Sequence, residues 1–196
     1  MPEITFVQRR AVDGQRLAYW EAGNGETIVA IVGGDGQPTR AHTLLAADRR
    51  VIVVAMPADA EAPQEAAHKI GTALSEAGIA HFDLMGEGHG AAIALWLALM
   101  PEAEIGSVVL AAPAGSTDEA FRAASCPMLL LSGTQDDSDA AARYRALLPA
   151  AHFMLVYDVG PAIGADRPEA LAFIAREFFE RRDLFLVSRE SGLEIP

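Results

Sequence analysis

The sequence predicts an α/β protein: a mixed, mainly parallel sheet with helices on both faces, opened by an antiparallel hairpin. Three observations predict it. Residues 27–32, 50–55, 81–85, 105–112 and 128–131 form short runs rich in Val, Ile and Leu, and their near-continuous hydrophobicity suits strands buried on both faces. Helical segments alternate with these runs, as a parallel sheet requires of its connections. Asp13-Gly14 separates two short extended stretches at the start, which is a hairpin signal.

Taken in order, residues 4–9 and 16–21 are the hairpin strands, and the pattern changes after Gly23-Asn24-Gly25. A helix over 65–77 puts Ala66, Ile70, Ala73 and Ala77 on one stripe, with Gly78 as its C-terminal stop. Residues 91–100 are apolar all round, which a helix tolerates only when covered on every side. Residues 138–148 form a further amphipathic helix, and 153–157 are the last strand. In the final helix, 168–182, Leu171, Ile174, Ala175 and Phe178 share a face, and Asp166 is placed to cap it two residues before Pro168. Neither repeats nor an interdomain linker interrupt the pattern. The expectation is one domain over 1–196, with 183–196 as a C-terminal tail.

Composition limits the partners. The chain of 196 residues carries a net charge of -12, and Lys69 is its single lysine. Such a surface repels phosphate backbones and anionic lipid, so neither nucleic acid nor a membrane surface is expected as a partner, and the ordinary role of the acidity is to keep the protein soluble. The apolar segment 91–100 is far shorter than the roughly 18 residues needed to cross a bilayer. The first residues carry neither a basic nor an apolar leader segment, so the protein is expected to be cytoplasmic. Cys126, the one cysteine, precedes Pro127 and an apolar run and reads as a buried residue at a strand start.

The residues Gly86-Glu87-Gly88-His89-Gly90 lie between the strand ending Asp83-Leu84-Met85 and the apolar helix. A glycine-rich strand-to-helix turn by itself also suits an anion-binding loop. Here it resembles the nucleophile elbow of the α/β-hydrolases, Gly-x-Ser-x-Gly, and three other places agree in order. Val29-Ala30-Ile31-Val32-Gly33-Gly34 looks like the strand and loop that supply half of the oxyanion hole. Residues 51–57 look like the following strand. Met128 to Asp136 look like the strand and loop that hold the triad acid, and Val156-Tyr157-Asp158-Val159-Gly160 like the approach to the triad histidine. The resemblance runs from about Gly14 to Arg182. It implies the α/β-hydrolase fold, and the short span between Gly115 and Cys126 implies that no cap domain is inserted there.

At the positions that carry the chemistry the sequence departs from the family. Gly88 stands where the serine would be, and Pro161 where the histidine would be. Ala55 replaces the strand-end aspartate, Ala58 and Ala60 replace the following glycines, and Val32 replaces a common histidine. Asp136 alone survives of the triad. Hydrolysis on this fold needs a hydroxyl nucleophile and an imidazole to move its proton. Gly88 has no side chain and Pro161 can neither take nor give a proton. What the resemblance leaves is a cradle of backbone N–H groups at a helix start, with Gly33, Gly34, Gly88 and His89 as the ligand-binding residues.

The remaining candidates have ordinary explanations beside the functional ones. His89 at the helix start is either a catalytic group or a polar residue bonding to nearby backbone. Glu87 is a catalytic carboxylate, a structural residue or a helix N-cap. Asp136, Asp137 and Asp139 are explained by capping of the segment from Ser138 rather than by a metal, and neither metal nor cofactor is expected. His42, His68, His81 and His152 lack metal-type spacing and suit surface or strand-end positions. Trp20 and Trp96 read as packing residues. The leading function is a non-catalytic protein of this fold that binds a small ligand or a protein partner. Its rival is an unorthodox enzyme (esterase, lyase or isomerase) using His89, Glu87 or Asp136. A partner subunit of an active enzyme, docking through the capless face, is the third reading. The apolar run Leu184 to Val187 either packs back onto its own domain beside the final helix or seals a homodimer or a partner subunit.

Overall fold

The computed structural model describes residues 4–10, 18–34, 36–57, 61–101 and 103–185. Eight strands form one sheet: β1 (Val7–Arg10), β2 (Ala18–Ala22), β3 (Thr27–Val32), β4 (Arg50–Ala55), β5 (His81–Glu87), β6 (Glu104–Ala111), β7 (Met128–Gly133) and β8 (His152–Val156). Their order across the sheet is β1-β2-β4-β3-β5-β6-β7-β8. β1 pairs antiparallel with β2, and β2 antiparallel with β4, while every later pairing is parallel. The opening hairpin is therefore present, although its Asp13-Gly14 turn lies outside the described residues. β1 begins at Val7 rather than at Ile4.

Alternate side chains of the central strands feed two separate cores, as the period of two dictates. Val29 and Ile31 of β3 face one core with α2 (Pro63–Glu76), α3 (Gly90–Ala98) and α4 (Ala140–Leu147). Ile28, Ala30 and Val32 face the other, with α1 (Arg40–Leu45), α5 (Ile163–Asp166) and α6 (Pro168–Arg181). Helices thus cover both faces, as expected for strands without polar alternation. The link from β6 to β7 contains one 3-10 turn, Glu119–Ala123, and no inserted domain.

Most helix expectations hold, with local corrections. Every residue of α3 from Gly90 to Leu95 is buried. In α2 the buried stripe is Ala66, Ala67, Ile70, Ala73 and Leu74, and Ala77 is exposed beyond the last turn. Gly78 does stop it: the Gly78 N–H donates to Ser75 O at 2.9 Å and the Ile79 N–H to Leu74 O at 2.9 Å, the paired bonds of a Schellman ending. In α6, Leu171, Ala175 and Phe178 are buried and Ile174 is packed at their margin. Asp166 does not cap α6; it closes the short α5, and the cap position belongs to Arg167. Cys126 is half-buried before β7, and burial pushes its thiol pKa up, which suits an unreactive side chain.

Candidate functional site

The chain runs from β3 to β4 on one side and then places β5 on the other side of β3. In an open parallel sheet such a reversal opens a crevice beyond the carboxyl ends of the two strands. A pocket of about 360 Å³ lies there, bordered by Gly33, Gln37, Thr39, Glu87, Gly88, His89 and Pro161, among others.

Gly88 forms the turn between β5 and α3, with φ at +55°. A side chain here meets no atom within 4 Å, so the position is an open elbow whose backbone favours glycine. Its N–H donates to Ala111 O at 3.0 Å, and its carbonyl accepts from the N–H groups of Ala91 and Ala114. The N–H of Gly88 is thus committed to the fold, which corrects its expected place among free donors of a cradle. Gly90 starts α3 directly on β3: a Cβ on it would lie 2.2 Å from Ile31 O. The glycines flanking the elbow are there for close strand–helix approach, whatever the chemistry.

Pro161 follows β8 and borders the same pocket as Gly88. Asp136 follows β7 on this rim, and its loop is tied to the Pro161 loop by Gln135, whose N–H donates to Val159 O at 2.9 Å. The Asp136 carboxylate, however, accepts from the Ser138 N–H at 3.0 Å and takes no part in lining the pocket. That bond closes a turn ahead of α4, whose cap residue Asp139 makes no side-chain capping bond. The expected helix capping is therefore not observed, and Asp136 stands on the rim without bordering the pocket. Gly33 borders the pocket, whereas Gly34, at φ +66°, turns outside it. His89 is exposed at the helix start. Ala58 and Ala60 lie outside the described residues. Trp96 packs edge-on against Phe121 with ring centroids 5.4 Å apart. His81 is an exposed partner of Glu104 at 2.6 Å, and His152 packs against Phe178 and Phe185.

One site residue escaped sequence reasoning. His42 is not at the surface but fully buried in α1, and its Nδ1 accepts from the Thr39 N–H at 2.9 Å. An imidazole that accepts at Nδ1 carries its proton on Nε2. That nitrogen sits 2.9 Å from Glu87 Oε1. The contact is close but not aligned as a hydrogen bond, so both buried atoms are incompletely satisfied. Glu87 is therefore neither an N-cap nor a free carboxylate. It is the last residue of β5, with its side chain 16% exposed, and its Oε2 lies against Gly164, where a Cβ would approach to 2.5 Å. The available signal was Thr39-x-x-His42, a capping pattern with histidine in the place usually held by Glu or Gln.

The fold and the elbow define an α/β-hydrolase architecture. No protein-family model matches the sequence, and no curated protein matches it significantly. Solved structures do. A predicted CIB-like hydrolase from Thermoplasma acidophilum superposes with a TM-score of 0.74 at 16% identity, over 89% of this chain and 98% of that one. A serine hydrolase involved in carbazole degradation gives 0.76 at 17%, over 90% and 99%. An esterase from Exiguobacterium antarcticum gives 0.71 at 13%, over 90% and 100%. At these identities the likeness establishes the fold: the chain has the α/β-hydrolase fold.

Proposed function

We propose that this chain is a non-hydrolytic member of its fold that binds a small molecule at the elbow pocket. One observation carries the reading. The elbow centre, Gly88, and the histidine-equivalent position, Pro161, border the same pocket, and neither can attack a carbonyl or move a proton. The neighbours named above are described as hydrolases, and a serine or histidine lost alone could be replaced from nearby; losing both removes the working pair. Purified protein is expected to turn over short-chain nitrophenyl esters no faster than its Gly88→Ala variant. Activity above that level which disappears in His89→Ala overturns the reading.

The buried His42–Glu87 pair favours a second reading, in which Glu87 is a general base held in place by His42 and His89 assists at the pocket mouth. Asp136 drops out of this reading because its carboxylate is bonded to Ser138 N–H. Lyase or isomerase turnover abolished by Glu87→Gln would select it. A protein partner, including a second copy of the chain, is the third reading.

A further inference from the structure

We propose that the pocket selects a cationic ligand, a primary ammonium group on a small apolar body, and that Glu87 Oε2 is its anchor. The inference rests on the non-hydrolytic binding reading and adds the chemistry of the ligand. Among the described residues bordering the pocket, Glu87 is the one whose side chain carries a fixed charge. Its companion His42 accepts at Nδ1 from the Thr39 N–H and so presents a neutral imidazole to Oε1. A mostly buried carboxylate is thus left without a counter-ion, and its contact with His42 Nε2 is misaligned. Burying such a group without full partners is costly, which gives a reason to expect a ligand that completes it. The nearby arginines are engaged elsewhere: Arg40 bonds Glu169 and Arg167 bonds Asp158.

The oxygen that remains is Oε2, beside Gly164, where the missing side chain leaves room for the carboxylate. An ammonium donor reaching it would form a charge-assisted hydrogen bond. Ala111, Pro161, Ala162 and Ile163 supply apolar wall, and the net charge of -12 attracts cations and repels anions.

The test uses 2-phenylethylamine and the size-matched 3-phenylpropionate as probes in amide chemical-shift titrations at pH 7. Saturable shifts at Gly33, Gly88 and His89 with the amine, and none with the carboxylate, are expected. Glu87→Gln should weaken the amine about tenfold or more. Should that variant fail to fold, Pro161→Lys at its exposed position tethers an ammonium at the rim and should abolish amine binding by competition. Equal or tighter binding of the carboxylate, no shifts with either probe, or amine binding unchanged in these variants overturns the proposal. The ester assay stands apart: hydrolysis without amine binding, or the converse, tells which of the two readings has failed.

Discussion

Gly88 and Gly90 are two residues apart and are glycine for different reasons. At Gly88 the backbone is left-handed and the surrounding space is open, so a methyl group costs only the conformational strain. At Gly90 the methyl would collide with the carbonyl of Ile31, which cannot move without shifting β3. Gly88→Ala is therefore expected to lose about 1–2 kcal/mol and Gly90→Ala about 3 kcal/mol or more, read by urea denaturation. Equal losses would mean that the elbow does not rest on β3 as described. The contrast separates two demands on the same turn: the flanking glycines serve packing, while the centre of the elbow is glycine for its left-handed backbone alone.

At the scale of elements, neighbouring strands hold a second buried carboxylate. The register between β5 and β6 shifts between Phe82 and Leu84, bringing Ser107 against Asp83, whose Oδ1 accepts the Ser107 hydroxyl at 2.7 Å. Burial pushes the Asp83 pKa up; the Ser107 bond and Arg182 pull it back in part. A carboxyl whose pKa is raised on folding binds its proton more readily in the native state than in the unfolded one. It therefore costs stability at neutral pH, and that cost is relieved as pH falls through the raised native value. Asp83→Asn, which retains an acceptor for Ser107, should be at least as stable as the parent at pH 7. The difference should shrink as pH drops into the ordinary carboxylate range, as followed by denaturant midpoints. A variant that is less stable at pH 7 would show that the Arg182 contact outweighs burial.

At the scale of the whole molecule, the end of the described chain divides the tail into a packed part and a remainder. Phe185 is buried against Phe178, with ring centroids 5.5 Å apart, whereas Leu184 is 64% exposed. The apolar run is thus partly folded back onto its own core, and Leu186 and Val187 lie outside the described residues. Truncation after Phe185 should leave a folded chain, and truncation after Arg182 should cost about 3 kcal/mol through the lost ring. Sedimentation of the intact and shortened chains tests the homodimer: a monomer in every case removes it, and a dimer that falls to a folded monomer on truncation after Phe185 supports it.

The strands, the order of helices and the elbow were legible because each rests on local pattern. Continuous apolar runs mark strands buried on both faces, and Gly86-Glu87-Gly88-His89-Gly90 marks a sharp turn by its residue types alone. Helix α1 was not legible: its six residues include Thr39-capped His42 and Thr43, too short and too polar for a periodic signal. α5, with four residues, escaped for the same reason.

By itself the sequence determined the architecture, the glycine-rich turn between β5 and α3, and the net charge of -12. Only the tertiary structure decided which carboxylate faces the pocket. Asp136 and Glu87 look alike as candidates along the chain, yet one is bound to the Ser138 N–H of its own loop and the other is held against a buried imidazole 45 residues earlier. That choice depends on α1 from one connection packing over the end of β5 from another. Such a contact between distant segments leaves no mark on local periodicity, because loop closure brings together residues that sequence spacing keeps apart.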